Sequence, residues 1–334
     1  MSTHRIIAAT VAALTATFAL PACKKKSAPG NEAAANAASV KEGAAPGTAE
    51  DAELAADDAL SDKLGHYIEC INNVDPFVAE SHALYVKRID EDVIVAARTP
   101  SVRSNGPLLP ACFTAIETAA AAEPERPELE RAATSYRAAL EQLEPLLIEA
   151  SRYYSQGDYK DDDVARGNEL HPKIMAGYQA VFSSGKALRD AVDHENRALL
   201  ARGLARIEKE EGKSLRYHTR RVMTEAEGAL TLALDPATDP VKLRDAIEAY
   251  KTLYAEFLDR KAKHPEEAER GGGLVAFVAH GDLLLGGFKE MQRIADAKIA
   301  GKPFELEDLR RTQLLKFYNS LVEDSNDLEW KPAP

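Results

Sequence analysis

Between Tyr153 and Asp163 the chain reads YYSQGDYKDDD, three tyrosines and four aspartates around one glycine. Carboxylate oxygens are the ligands that hard cations take. Asp158, Asp161 and Asp162 beside Tyr153, Tyr154 and Tyr159 could therefore hold Ca²⁺, or a cationic or sugar ligand against an aromatic wall, with His171 close behind in sequence. The run fails the EF-hand pattern, because Ala165 falls at the third ligand position and no glutamate at the twelfth. The simpler reading is a solvated acidic loop in which Asp161 to Asp163 cap the following helix and favour its positive end. His171, just before Pro172, reads as a loop or capping histidine.

Other groups are weaker. His280 and Asp282 interrupt the apolar stretch LVAFVAHGDLLLGGF, and a histidine beside a carboxylate can act as a base. No serine or cysteine nucleophile stands near them in sequence, so a satisfied pair is the plainer reading. Lys213, Arg216, His218, Arg220 and Arg221 form a basic run that could meet phosphate or carboxylate groups. It also reads as a solvated helix face paired with Glu225 and Glu227. HExxH, GxSxG, the phosphate-binding GxxxxGK[ST] and paired CxxC motifs are all missing. No histidine follows a glutamate by three residues, so the di-iron carboxylate pattern is missing too. A non-enzymatic chain without a cofactor is expected.

The elements that would position these residues are helices. Leu129, Ala133, Tyr136, Leu140, Leu143, Leu147, Ala150 and Tyr154 recur at alternating spacings of four and three, one seam of a packed helix. Pro145 should kink or split it. Ile174, Tyr178, Val181, Leu188, Val192 and Leu199 repeat the rhythm, Gly185 allows a close approach, and the run could continue through Leu215 to Leu234. Upstream, Ser61 can cap a helix carrying Leu64, Ile68 and Ile71, and Asp75-Pro76 can cap and open another. Thr99 to Pro110 is a loop by composition. Downstream, Asp239 caps a helix with Leu243, Ile247, Tyr250, Tyr254 and Phe257 on its seam, followed by helices over 274–300 and 306–321. Asp92 to Ala97 is the one strand-like piece. The fold expected is all-α, a bundle of long antiparallel helices over 59–330.

The chain begins with Arg5 ahead of an apolar run, Ile6 to Leu20, which is shorter than the roughly 20 residues a spanning helix needs. It reads as a secretory signal over 1–22. Leu20-Pro21-Ala22-Cys23 resembles a lipobox, so Cys23 is the expected acylation site, with ordinary signal cleavage as the alternative. Lys24, not aspartate, follows the cysteine, which points to the outer membrane facing the periplasm. Residues 23–58, rich in Ala, Gly, Pro, Glu and Asp, read as a disordered tether with a reach of about 30–35 Å. The acyl chains would supply the anchoring, at about 0.8 kcal/mol per buried CH₂. Cys70 and Cys112 remain, expected as a disulfide in an oxidising compartment, with two buried thiols as the alternative. The 334 residues carry a formal net charge of −12, which argues against nucleic acid as a partner. An envelope protein or a small ligand is the partner left open.

Several pieces carry a family likeness. Tyr67-Ile68-x-Cys70-Ile71-Asn72, the later Cys112, Tyr136 through Pro145, Tyr153 through Asp162, Leu170-His171, Tyr318-Asn319 and Asn326 resemble the YiiG-like lipoproteins, a domain family of unknown function. The likeness spans about Leu60 to Asn326. It implies an envelope lipoprotein with a helical fold and brings over no catalytic residue. The long Ala-rich tether is a departure from the family pattern.

Overall fold

A computed structural model describes residues 49–89, 94, 98–235, 237–302 and 308–331. The signal segment, Cys23, the tether up to Thr48 and all of Asp92–Ala97 except Ile94 lie outside the described residues. The fold is all-α. Its described residues divide into two compact units, one ending at Asn196 and the other beginning at Arg197.

The N-terminal unit contains α1 (Ala49–Val86), α2 (Leu109–Ala121), α3 (Pro127–Gln156) and the first part of α4 (Ala165–Glu211). Helix α1 starts inside the stretch read as tether. Ala, Leu, Glu and Asp there are compatible with helix, and Asp57 is already buried. Ser61 and Asp75-Pro76 were expected at helix starts, yet α1 runs through all three. Asp75 is instead a partly buried partner for two other helices: the Tyr136 hydroxyl donates to Oδ1 at 2.7 Å, and Arg189 pairs with Oδ2. Pro145 likewise leaves α3 unbroken. An internal proline forfeits one backbone hydrogen bond, and the fully buried Leu143 and Leu147 on either side hold the helix in place.

The two sequence seams, from Leu129 to Ala150 on α3 and from Ile174 to Val192 on α4, are buried in this unit. A Cβ on Gly177 would lie 2.9 Å from Leu143, and one on Gly185 would lie 3.1 Å from the Tyr136 ring, so α4 presents glycine where α3 comes close. Cys70 and Cys112 are disulfide-bonded with Cα atoms 4.3 Å apart, joining α1 to the first turns of α2. Lys63 is fully buried and ties α1 to the turn before α3. Its Nζ donates to the carbonyls of Ala122 and Pro124 at 2.9 and 3.0 Å and to Glu130 at 2.5 Å.

The C-terminal unit begins with the last part of α4, which Gly212 ends with a φ of +67°, so the long run does not continue as one helix. Here α5 (Leu215–Leu234), α6 (Pro240–Lys263), α8 (Leu274–Ile299) and α9 (Asp308–Asp327) pack in a closed ring: α5 on α6, α6 on α8, α8 on α9 and α9 back on α5. Their shared core includes Leu230, Ile247, Phe257, Phe277, Phe288 and Leu321. Ser214 and Asp239 cap α5 and α6, accepting from the N–H groups of Tyr217 and Val241 at 3.3 and 2.8 Å. A short α7 (Pro265–Arg270) leads into β1 (Gly271–Gly272), which pairs antiparallel with β2 (Glu329–Trp330). Two-residue strands leave no period in a sequence, and this ladder was not anticipated.

Glu267 fastens α7 to α5 and α6, accepting from the Leu215 N–H at 2.5 Å and pairing with Arg260. Burial pushes its pKa up, but the bonds from Arg260 and Leu215 outweigh that and hold it below the ordinary glutamate range. The unfolded chain therefore takes up the proton more readily than the folded one. The stability it contributes is present above about pH 4.3 and is lost as pH falls through the lower folded value. Glu267→Gln should melt at a lower temperature than the parent at neutral pH, and that gap should narrow below about pH 4.

Candidate functional site

Gly157, with φ +85°, closes α3 in the left-handed conformation that glycine adopts without penalty. A 3-10 turn, Asp158–Lys160, follows. Asp163 and Val164 then take φ values of +51° and +60° before α4 begins. Left-handed backbone is costly for a β-branched residue, about 1–3 kcal/mol. Burial of the Val164 side chain offsets it.

The loop's side chains serve this geometry. The Tyr153 hydroxyl donates to Asp162 Oδ1 at 2.7 Å, while Asp162 Oδ2 accepts from the Arg166 N–H at 3.0 Å and caps α4. That bond from Tyr153, followed by backbone N–H groups, keeps the Asp162 carboxyl below its usual range. Burial, then the bond to Asp162, pushes the Tyr153 phenol up to about 12. Tyr154 stands edge-on to Tyr153 at 4.9 Å and tilted to Tyr159 at 6.1 Å, so the aromatic wall exists. Asp158, Asp161 and Asp163 point into solvent. Among the described residues, the one trio of ligand atoms within 4.8 Å of one another is His264, Glu266 and Glu267, outside this loop. Arg260 and the Leu215 N–H already occupy Glu267.

His171 is not a loop or capping residue. It lies inside α4, is buried, and shares a 3.1 Å hydrogen bond through Nδ1 with the Tyr85 hydroxyl. Pro172 does not end α4, so His171 turns inward with Leu170 and Ile174. Burial, then the hydroxyls of Tyr154 and Tyr178, raise the Tyr85 phenol far above its ordinary value. Tyr85 is thus the partner of His171, and sequence spacing gave no sign of it, while the Tyr154 hydroxyl is buried without a hydrogen-bond partner among the described residues. A separate pair of bonds lies nearby: Tyr178, whose ring is 6.2 Å from that of Tyr85, donates to Ser81 Oγ at 2.8 Å, and Ser81 donates to the Arg103 carbonyl at 2.7 Å. These are two separate sets of core hydrogen bonds, and among the described residues they join no activated nucleophile to a base.

The other candidates separate. His280 Nδ1 meets Asp324 of α9 at 2.5 Å, whereas Asp282 accepts from Tyr254 at 3.0 Å, so the two do not form a pair. In the basic run, Arg216 pairs with Glu211 at 2.8 Å rather than with Glu225. Arg220 places Nη1 in a buried position without a hydrogen-bond partner, and burial lowers the His218 pKa. No described helix is long and apolar enough to cross a membrane.

Comparison with known proteins gives a family and a relative, both without an assigned function. The family model "Protein of unknown function (DUF3829)" matches residues 58–327. The uncharacterized protein YiiG of Escherichia coli (strain K12) is 26% identical, with 92% of this chain and 90% of that protein covered. No solved structure matches.

Proposed function

The chain belongs to the DUF3829 family, and from that premise we propose that it is a non-enzymatic helical module, anchored by lipid at Cys23 in a bacterial envelope, that binds an envelope protein or a small ligand. The observation that carries this reading is the Cys70–Cys112 bond. Disulfides persist in oxidising compartments, and this one agrees with a leader that ends in Leu20-Pro21-Ala22-Cys23. Lys24 after the cysteine supports outer-membrane sorting. The non-enzymatic part rests on the separation of His280 from Asp282 and on the structural employment of Tyr153, Asp162 and His171. A role for the Tyr153–Asp163 loop in cation binding gains no support from its carboxylates, of which Asp162 is taken up by Tyr153 and the Arg166 N–H.

Mass spectrometry of protein extracted from its host's membranes tests the anchor. The expected product starts at Cys23 and carries acyl chains. An unmodified N-terminus downstream of Cys23 would remove the anchor from the proposal.

A further inference from the structure

We propose that the C-terminal unit holds a binding pocket for a small molecule bearing an oxyanion, phosphate or carboxylate, clamped by Arg270 and Lys331 over the Trp330 ring. The pocket has a volume of about 280 Å³ and is lined by Ser214, Arg216, Arg270, Trp330 and Lys331, with Glu211 and Glu267 on its wall. Ligand pockets start at about 300 Å³, so this one suits a compact ligand.

The charges decide its sign. Both wall carboxylates are already satisfied. Glu211 accepts from Arg216 at 2.8 Å and from the Ser214 hydroxyl at 3.0 Å. Glu267 accepts from Arg260 and the Leu215 N–H. Arg270 and Lys331 have no carboxylate partner among the described residues. They are also forced together. Gly271 is paired with Trp330, and the Lys331 N–H donates to the Arg270 carbonyl at 3.0 Å, so the ladder sets the two cations opposite each other. Like charges directly across an antiparallel pair repel. The repulsion disappears when an oxyanion bridges them, and a guanidinium fork beside an ammonium is a donor set that phosphate and carboxylate both fit.

Two further features favour the same ligand. Arg220, one helical turn beyond Arg216, also lacks a carboxylate partner, so the nearby positive charge is not cancelled. The Trp330 ring is held in place by the absence of a side chain at Gly271, where a Cβ would sit 3.1 Å from it. A half-buried indole beside two cations offers an apolar surface for the carbon part of the ligand. This pocket lies in an acidic protein, so its sign is local and not a consequence of composition. The proposal does not rest on lipid anchoring.

Trp330 is the chain's one tryptophan and reports directly on the site. Inorganic phosphate and, separately, citrate are titrated into the full-length protein at constant ionic strength while its fluorescence is followed. A saturable change is expected with at least one of them, with half-saturation at about 1 mM or below. Arg270→Gln and Lys331→Gln should each weaken it by about tenfold without changing the melting temperature. If Arg270→Gln disturbs folding, Lys331→Gln decides, because Lys331 is exposed. No saturable response to either anion, or an equal response in the variants, overturns the site. A response confined to phosphatidylglycerol vesicles overturns the small-molecule assignment in favour of a lipid surface.

Discussion

Breaking the bond between Cys70 and Cys112 lowers the melting temperature of the N-terminal unit by about 10 °C. The two cysteines are 42 residues apart, and opening a loop of that size returns about 4 kcal/mol of chain entropy to the unfolded state. Both side chains are almost completely buried, so alanine is the right replacement: a serine hydroxyl would add an unpaired polar group to the core. Thermal unfolding followed by circular dichroism should show equal losses for the Cys70→Ala/Cys112→Ala protein and for the parent in reductant. Reductant should leave the double variant unchanged. A parent that melts at the same temperature with and without reductant would mean the bond contributes nothing to stability.

Lys63→Met gives a second large loss, about 3–5 kcal/mol in urea denaturation. Lysine is rarely buried completely, yet Lys63 has no exposed surface in its side chain. Its ammonium is acceptable there because three oxygens surround it, the carbonyls of Ala122 and Pro124 and the Glu130 carboxylate. Methionine keeps the volume and removes all three donors, leaving two carbonyls and a carboxylate short of a partner. The Glu130 carboxyl would respond as well. The Arg126 N–H first, and then Lys63, hold its pKa below the ordinary range, so the variant should show that pKa moving upward in carbon-detected NMR. Lys63→Arg should recover little, since the longer planar head does not fit a pocket shaped around a point charge. If Lys63→Met melts like the parent, the buried clamp is dispensable.

The helical seams were readable because their spacing is a local property. Leu129, Tyr136, Leu143 and Leu147 on α3, and Ile174, Tyr178 and Leu188 on α4, are buried as the period requires. The cap at Asp239 was of the same kind, because its meaning lies within a turn of its own position, whereas the Ser214 cap, which starts a separate helix, was not read. Proline signals misled. Pro76 and Pro145 are helix breakers by intrinsic preference, but here packing by distant helices outweighs one lost hydrogen bond. His171 was misread for a related reason, since its partner Tyr85 is supplied by another helix. The acidic run was the opposite case. Its density of aspartates suggested a ligand, and one of them, Asp162, works as a cap while its neighbours remain in solvent. The pocket around Arg270 and Lys331 was not legible at all. Those residues are joined by a two-residue ladder that has no pattern of its own.

Most core side chains that carry an oxygen here are tyrosines, and this changes what the cores can tolerate. A seam of leucines can slide by a turn and remain a seam. A tyrosine whose buried hydroxyl is hydrogen-bonded resists this, because the bond ties it to a particular partner. Tyr136 needs Asp75, Tyr178 needs Ser81, Tyr85 needs His171, and Tyr254 needs the Val278 carbonyl and Asp282, which share its hydroxyl. Each bond adds little net stability, about 1 kcal/mol, but a slipped helix would strand the hydroxyl away from water. Unlike Tyr67 and Tyr318, whose buried hydroxyls have no partner among the described residues, these four tyrosines therefore act as register pins. They make competing alignments of the same long helices unfavourable, and so select one arrangement from sequences whose alanine and leucine would accept several.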